Sequence, residues 1–253
     1  MSFTGSTPLG RLLLAKAADH VVRTSMELGG NAPFVVCADA DLDAAVAGAM
    51  VAKMRNGGQA CTAANRFLVH CDVVDEFTAG LTKQMAALRL GPGIDERTQL
   101  GPMVSRRAVE GIASKVEAAL EEGAKRSLGG EPVGPGFYHP ATVLIAVAPD
   151  ATILGQEIFG PVAPIVTVTS DDEAIAIANA TEVGLTAYVY SRDLARGLRI
   201  AERLEMGMVG LDRGLVSDAA APFGGVKESG LGREGGYEGL GDYLETTYVA
   251  TQW

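Results

Sequence analysis

Short apolar segments alternate with helix-like segments along most of this 253-residue chain. Residues 31–37 form a nearly continuous apolar run, and residues 42–54 follow with Val46, Met50 and Met54 four apart. Such runs are typical of strands buried on both faces, and the spacing is typical of a helix. Further strand-like segments are 66–70, 141–147, 164–168, 186–190 and 207–211, and further helix-like segments are 73–90, 105–123, 171–180 and 194–204. The alternation predicts an α/β fold with a mainly parallel sheet covered by helices on both faces.

A glycine-rich segment, Arg-Asn-Gly-Gly-Gln-Ala-Cys-Thr at 55–62, separates a predicted helix from a predicted strand. Gly57 and Gly58 permit a tight turn or the close approach of a ligand. A thiol on such a turn can meet a substrate and can be activated through its pKa. Cys61 is therefore a candidate nucleophile, and the alternative is a small buried cysteine with a packing role.

Three further segments carry polar residues beside glycines. Residues 3–10 read as the end of a strand, a glycine turn and the start of a helix, where Gly5 and Ser6 could hold a phosphate. Residues 21–30 read as a strand that ends in Glu27 and two glycines, so that this carboxylate could face a cleft. The alternative for Glu27 is a surface carboxylate at a strand end. Residues 157–161 place Glu157 and Phe159 together in a turn.

The composition excludes several classes of partner. The net charge is −10, which disfavours nucleic acids and anionic membranes. No apolar run has the length of a membrane span. The three cysteines form no CxxC pair, so we predict a reduced, cytoplasmic protein. His20, His70 and His139 lack the spacing of metal ligands, and we predict no metal site.

Together these segments resemble the C-terminal half of the aldehyde dehydrogenase superfamily. Matching blocks are Phe-Thr-Gly-Ser-Thr at 3–7, Met-Glu-Leu-Gly-Gly at 26–30, Asn-Gly-Gly-Gln-Ala-Cys at 56–61, Glu-Ile-Phe-Gly-Pro at 157–161 and Pro-Phe-Gly-Gly-Val-Lys at 222–227. Their order and spacing fit throughout, so the resemblance covers essentially the whole chain. Residues 213–218 and 243–246 resemble the succinate-semialdehyde dehydrogenase branch of that superfamily.

The resemblance implies a fold and a division into domains. The fold is the three-layer α/β sandwich of the family's catalytic domain, with a remnant of its Rossmann-like cofactor domain. Residues 1–28 would be the remnant of the dinucleotide-binding domain, residues 29–230 the catalytic domain, and residues 231–253 a tail with an oligomerisation strand. That strand, expected at 243–251 from its alternating pattern, would need a free sheet edge as its partner.

The resemblance also implies roles in the oxidation of an aldehyde with NAD or NADP. Cys61 would attack the aldehyde to give a thiohemiacetal, and its backbone N–H would be half of the oxyanion site. Glu27 would activate the water that hydrolyses the thioester. The implied cofactor contacts are Gly5, Ser6, Leu28, Glu157 and Phe159.

For the substrate, the resemblance implies that Arg55, Arg213 and Ser217 bind the far carboxylate of a semialdehyde. A guanidinium suits this task because it can bind a carboxylate through two hydrogen bonds. The alternative for either arginine is a surface side chain without a substrate role. Asp212 departs from the asparagine usual in the family, and Ala63 stands where some members carry a second cysteine.

The family's N-terminal half has no counterpart in these 253 residues, so we expect a fragment or a truncated gene product. On this interpretation the complete protein is a homo-oligomer, a dimer or a tetramer, that oxidises a small aldehyde, and we expect this half alone to be inactive. The alternative is a remnant that keeps a reactive cysteine without being an oxidoreductase, acting as a weak esterase or an interaction module.

Overall fold

The computed structural model describes residues 1–253 as an α/β protein. The strands are β1 Ser2–Thr4, β2 Ser25–Glu27, β3 Ala32–Val36, β4 Ala64–His70, β5 Lys125–Leu128, β6 Thr142–Ile145, β7 Val162–Val168, β8 Val183–Gly184, β9 Thr186–Tyr190, β10 Met208–Leu211, β11 Val226–Lys227 and β12 Gly230–Leu231. The helices are α1 Thr7–Ala18, α2 Leu42–Met54, α3 Val74–Ala86, α4 Arg106–Glu121, α5 Asp171–Asn179, α6 Leu194–Ala201 and α7 Glu238–Gly241. None of these helices combines the length and the hydropathy that a bilayer-spanning helix requires.

A seven-stranded sheet with the order β10-β9-β3-β4-β7-β6-β5 organises the molecule. Its first six strands are parallel, and only the edge strand β5 runs antiparallel to its neighbour. Every residue of the interior strand β3 is buried. This burial explains the continuous apolar run at 31–37, because a parallel strand between helices has no solvent face. The predicted α/β fold with a mainly parallel sheet is confirmed.

Successive side chains of β4 show that helices cover both faces of this sheet. The Phe67 ring lies 6.3 Å from the Phe77 ring of α3. The adjacent Arg66 points to the opposite face, since side chains alternate along a strand. There its guanidinium donates to the carbonyls of Ile177 and Ala178 at the end of α5, each at 3.0 Å. Helices α3 and α5 therefore lie on opposite faces, which gives the predicted three layers.

Several helices begin where a polar side chain accepts a hydrogen bond from the first turn. Asp41 accepts from the Ala44 N–H at the start of α2, Ser105 from Ala108 at α4, and Ser170 from Glu173 at α5. Each bond satisfies a backbone donor that the helix itself leaves free. These caps account for the agreement between the predicted helix starts and the observed ones.

The N-terminal residues join the C-terminal loop in a separate three-stranded sheet. β2 pairs in parallel with β1 and antiparallel with β12, so that Glu27 lies between Thr4 and Gly230. The strand predicted within residues 21–30 is shorter than expected: only Ser25–Glu27 pairs with β1, and only Met26 and Glu27 also pair with β12. The domain boundaries proposed at 28/29 and 230/231 stay a prediction.

The prediction of a strand at 243–251 is wrong for this chain by itself. These residues form no strand, and the large side chains of Tyr243, Leu244, Tyr248 and Val249 are exposed. An alternating sequence pairs only where a sheet edge is available, and no strand of this chain pairs with it. Pairing of the segment with another subunit stays a prediction.

Candidate active site

The candidate site lies at the edge of the large sheet where three neighbouring parallel strands begin. Gly30 comes just before β3, Cys61 just before β4, and the turn at 157–161 just before β7. Because parallel strands start at the same edge, three segments far apart in sequence meet there. Hydrogen bonds fix the segments: the Asn31 side chain donates to the Leu154 carbonyl at 2.7 Å, and Tyr188 donates to the Thr62 carbonyl at 2.9 Å.

The turn that carries Cys61 needs its glycines. Residues Arg55–Gly58 form a 3-10 turn in which Gly57 and Gly58 have φ values of 61° and 76°. A Cβ atom on Gly58 would lie 2.2 Å from the Gly160 carbonyl oxygen, and one on Gly30 would lie 2.3 Å from the Cys61 carbonyl oxygen. Glycine therefore allows both the segment after Glu27 and the turn after Glu157 to touch the Cys61 turn.

A cavity of about 410 Å³ opens at the junction of these segments. It is lined by Thr4, Gly5, Ser6, Glu27, Gly29, Gln59, Ala60, Cys61, Glu157 and Phe159. A neighbouring cavity of about 400 Å³ shares Ser6, Gly29 and Glu157 with it and extends the crevice past Asn31. The structure thus brings together six predicted site residues, Cys61, Glu27, Gly5, Ser6, Glu157 and Phe159.

Burial controls the protonation of the central pair. Burial raises the pKa of Glu27 to about 7, and its Oε1 atom is buried without a hydrogen-bond partner. Burial, together with the charge of Glu27, raises the pKa of the Cys61 thiol to about 12. The two side chains affect each other's protonation, although no well-formed hydrogen bond joins them. The result is a neutral thiol beside a carboxyl group that titrates near neutral pH.

Glu157 lies beside this pair in an environment that includes two lysines. Burial raises its pKa, while the Gly30 N–H, which donates to its Oε1 at 3.4 Å, and Lys115 and Lys53 act in the opposite direction. Lys53 is fully buried and donates to Asn65 Oδ1 at 2.9 Å. Burial lowers the pKa of Lys53 to about 7. Sequence reasoning missed Lys53, which reads as an ordinary charge near the end of a helix.

Two other buried polar side chains hold the site and were not predicted. Arg66, besides its bonds to α5, donates through Nε to the Asn31 carbonyl at 3.0 Å. Ser229 donates to the Gly29 carbonyl at 2.8 Å and accepts from the Gly184 N–H at 2.9 Å. Both fix the glycine segment beside Glu27. A charged residue inside an apolar strand pattern was the available signal for Arg66.

Phe159 has an unusual backbone conformation at the cavity. Its φ is 53°, in the left-handed region that bulky residues rarely occupy, and its ring is 41% exposed. The adjacent Gly160 is packed tightly, because a Cβ atom there would lie 2.4 Å from Ile112. Strain of this kind is characteristic of sites where a side chain must be presented to a ligand.

Four predicted contact residues do not line the cavity. The Leu28 side chain packs on Gly10 of α1, where a Cβ atom would lie 2.4 Å from it. Arg55 is exposed beside the Cys61 turn, and its guanidinium donates to Thr62 Oγ1 at 3.1 Å. Arg213 and Ser217 are exposed on a loop that touches α2, and the structure brings neither side chain to Cys61.

Comparison with known proteins identifies the relatives of this chain. The model of the aldehyde dehydrogenase family matches residues 1–249. Succinate-semialdehyde dehydrogenase of Paenarthrobacter nicotinovorans is 58% identical over 98% of the chain, which covers 56% of that relative. The chain therefore spans about half the length of the relatives that it matches.

Solved structures agree with this comparison. The crystal structure of succinate-semialdehyde dehydrogenase from Burkholderia pseudomallei is 48% identical, with a TM-score of 0.94, over 96% of this chain and 50% of that one. The crystal structure described as an E. coli NADP dependent enzyme is 46% identical, with a TM-score of 0.95, over 96% of this chain and 51% of that one.

Proposed function

Because this chain belongs to the aldehyde dehydrogenase family, we propose that it is the catalytic half of an enzyme that oxidises succinate semialdehyde to the carboxylate with NAD or NADP. The observation that carries this proposal is the cavity shared by Cys61, Glu27 and Glu157. A nucleophile, a base of suitable pKa and a third polar group within one cavity are the components of covalent acyl chemistry.

Cys61 forms the covalent bond in the proposed reaction. Its sulfur attacks the aldehyde carbon, the thiol proton passes to the former carbonyl oxygen, and a thiohemiacetal results. The backbone N–H of Cys61 donates to no backbone carbonyl, so it is available to stabilise the oxygen of this intermediate. The raised pKa of the thiol suppresses reactions of a free thiolate before the substrate arrives.

Glu27 acts as the base that releases the product. Once a thioester has formed on Cys61, a carboxylate beside it accepts a proton from the attacking water. A base is most effective when its pKa lies near the working pH, which is the condition that burial creates for Glu27 at about 7. The unpartnered Oε1 atom of Glu27 is the acceptor for this water.

The residues present fit the nicotinamide end of a dinucleotide. Gly29 offers a bare backbone surface, since a Cβ atom there would lie 3.1 Å from Glu157 Oε2. The Gly5 N–H donates to the Glu27 carbonyl at 3.0 Å, so we expect the Ser6 N–H and hydroxyl at the start of α1 to hold a phosphate, with Gly5 lining the cavity beside it. Glu157 would accept hydrogen bonds from ribose hydroxyls, and the exposed Phe159 ring would pack against the ring system. When bound, NAD or NADP supplies the hydride acceptor of the oxidation.

Arg55 is the residue proposed to recognise the far carboxylate of the substrate. Its guanidinium donates a hydrogen bond to Thr62, the residue that follows the nucleophile in the sequence. Unlike most arginines of this chain, Arg55 forms no ion pair with an acidic side chain. The names of the relatives support a substrate of this class, since two of those reported above are succinate-semialdehyde dehydrogenases.

The proposal is tested by reduced-cofactor formation in a complete enzyme that contains these residues. With succinate semialdehyde and either NAD or NADP, we expect Cys61→Ala to abolish turnover. The matched variant Cys71→Ala removes an exposed thiol at the far end of β4 and is expected to retain it. Retained turnover in Cys61→Ala would refute the assignment of the nucleophile.

A further inference from the structure

A second group of reactive side chains lies at the other end of the strand that follows Cys61. His70, Cys71 and Asp72 come at the carboxyl end of β4, and their donor atoms lie within 4.8 Å of one another. A seven-residue strand spans about 20 Å, so this cluster is remote from the cavity. None of the three side chains takes part in the proposed oxidation.

We propose that His70, Cys71 and Asp72 form a binding site for a thiophilic divalent cation, with Zn²⁺ as the best match. The Cys71 sulfur lies 3.8 Å from His70 Nδ1 and 3.6 Å from Asp72 Oδ1, and Nδ1 lies 3.5 Å from Asp72 Oδ2. Tetrahedral Zn²⁺ with its usual bond lengths requires separations of about 3.3 to 3.7 Å between such donors. With a single Asp72 oxygen as the ligand, the three donor atoms lie within 4.8 Å of one another, so small side-chain rotations bring them to the spacing that the ion imposes.

The backbone around the cluster holds this arrangement. The Cys71 N–H donates to the Val168 carbonyl of β7 at 2.8 Å, and the Val73 N–H donates to the His70 carbonyl at 3.0 Å. The Asp72 N–H donates to His70 Nδ1 at 3.2 Å. This bond requires that Nδ1 carries no proton, so its lone pair faces the turn that holds the other two donors. A bound ion would replace the Asp72 N–H as the partner of the Nδ1 lone pair.

The charges of the cluster also suit a divalent cation. A Cys71 thiolate and the Asp72 carboxylate together balance the two positive charges of Zn²⁺, and the thiol proton is released to solvent on binding. The positive end of the α3 dipole opposes a cation here, but Asp75 and Glu76 in its first turn outweigh that partial charge. The Asp72 side chain is 69% exposed, which leaves the fourth position to water.

The sequence predicted no metal site, because its histidines do not have the spacings of zinc fingers or catalytic zinc sites. Here three consecutive residues supply the donors, and a tight turn, rather than spacing, brings them together. All three donor residues lie in one short segment at the surface. The site therefore needs neither the cofactor nor any residue beyond this chain.

Cobalt titration of the purified, reduced chain tests the proposal, because a thiolate bound to Co²⁺ absorbs in the near ultraviolet. We expect one Co²⁺ per chain, with this absorption displaced by Zn²⁺, retained in Cys61→Ser and lost in Cys71→Ser. His70→Asn should weaken Co²⁺ binding by about tenfold or more, since it removes one of the three ligands. Circular dichroism establishes that each variant is folded.

Three results would overturn the proposal. The first is the absence of the charge-transfer absorption in the folded, reduced wild-type chain. The second is its retention in Cys71→Ser with loss in Cys61→Ser, which would place the ion in the cavity. The third is unchanged Co²⁺ affinity in His70→Asn. Each result is independent of aldehyde oxidation, so this proposal can fail while the proposed function stands.

Discussion

At the scale of single residues, burial determines the chemistry of the cavity. The Glu27 carboxyl has an ordinary pKa of 4.5 and is raised to about 7 chiefly by desolvation. The Cys61 thiol is raised by desolvation and by the adjacent carboxylate together. Neither shift can be predicted from sequence, because each depends on how closely glycine segments from three parts of the chain meet.

The raised pKa of Glu27 makes the stability of the chain dependent on pH. Between pH 4.5 and 7 the folded chain binds more protons at Glu27 than the unfolded chain, so stability is lost as the pH rises through this window. Glu27→Gln removes that loss. After allowance for solvent screening, we expect it to stabilise the chain by about 1–2 kcal/mol at pH 8, and by clearly less at pH 5.

Urea unfolding of the two chains at both pH values measures this difference. Glu110→Gln, a substitution at an exposed position of α4, is the matched control and should have the same small effect at both. A stabilisation by Glu27→Gln that is equal at pH 5 and pH 8 would show that Glu27 does not titrate in the way its burial implies.

The proposed role of Arg55 predicts a selective loss. In a complete enzyme, Arg55→Ala should lower kcat/KM for succinate semialdehyde by roughly ten- to hundred-fold, the worth of a charge-assisted contact. The kcat/KM for an aliphatic aldehyde without a carboxylate should change little. Arg107→Ala, at an exposed position on α4, controls for loss of positive charge. Equal losses on both substrates would remove Arg55 from the carboxylate site.

At the scale of secondary-structure elements, glycine positions determine how closely helices approach the sheet. Gly48 lies within α2, and a Cβ atom there would lie 1.6 Å from the buried Tyr190 hydroxyl oxygen. Gly111 lies within α4 and has nothing within 4 Å of the same position. Both glycines lie inside a helix, but only Gly48 is packed against another part of the chain.

Alanine substitutions at these two glycines should therefore change the free energy of unfolding in opposite directions. Gly111→Ala should stabilise the chain by about 0.5–1 kcal/mol, since alanine is the better helix former. Gly48→Ala should destabilise it by about 1–3 kcal/mol, because overpacking outweighs that gain. Denaturant unfolding measures both. Stabilisation by both substitutions would mean that α2 does not pack on Tyr190 as described.

Most elements were predictable because their local signals agree with their packing. The apolar run at 31–37 and the helical spacing at 42–54 match β3 and α2. The structure of residues 243–251 was not predictable, because their alternating pattern is a valid strand signal but no strand of this chain pairs with them. In the candidate site, the motif residues predicted that Cys61 and Glu27 act together. Lys53 was not predictable, because its burial depends on tertiary contacts, and the only signal for Arg66 was its charge within an apolar strand.

At the scale of the whole molecule, the proposed contacts to a dinucleotide, Gly5, Ser6, Glu157 and Phe159, all lie along one crevice and would reach only one side of the cofactor. Positioning of the reacting groups supplies roughly 7–11 kcal/mol of an enzyme's barrier lowering. We therefore expect these 253 residues, purified alone, to fold without producing NADH or NADPH from succinate semialdehyde. Calorimetry with each cofactor and a turnover assay measure this. Steady turnover with micromolar cofactor affinity would show that this half suffices.

The pairing of Cys61 with Glu27 can be measured in the chain as it stands. The assay is the rate of Cys61 alkylation by iodoacetamide against pH, with the labelled residue identified by mass spectrometry. Because Cys71 is exposed and would be labelled first, the parent is the Cys71→Ser chain, compared with the same chain carrying Glu27→Gln. The charge of Glu27 raises the pKa of the Cys61 thiol, so its removal should speed alkylation once that charge is present.

The two rates should agree near pH 6, where Glu27 is mostly protonated, and diverge above pH 7, with the Glu27→Gln chain several-fold faster at Cys61. Labelling should fall on Cys61 rather than on Cys37, which is 2% exposed. Identical rates at every pH, or preferential labelling of Cys37, would contradict a site in which this thiol and this carboxylate act together.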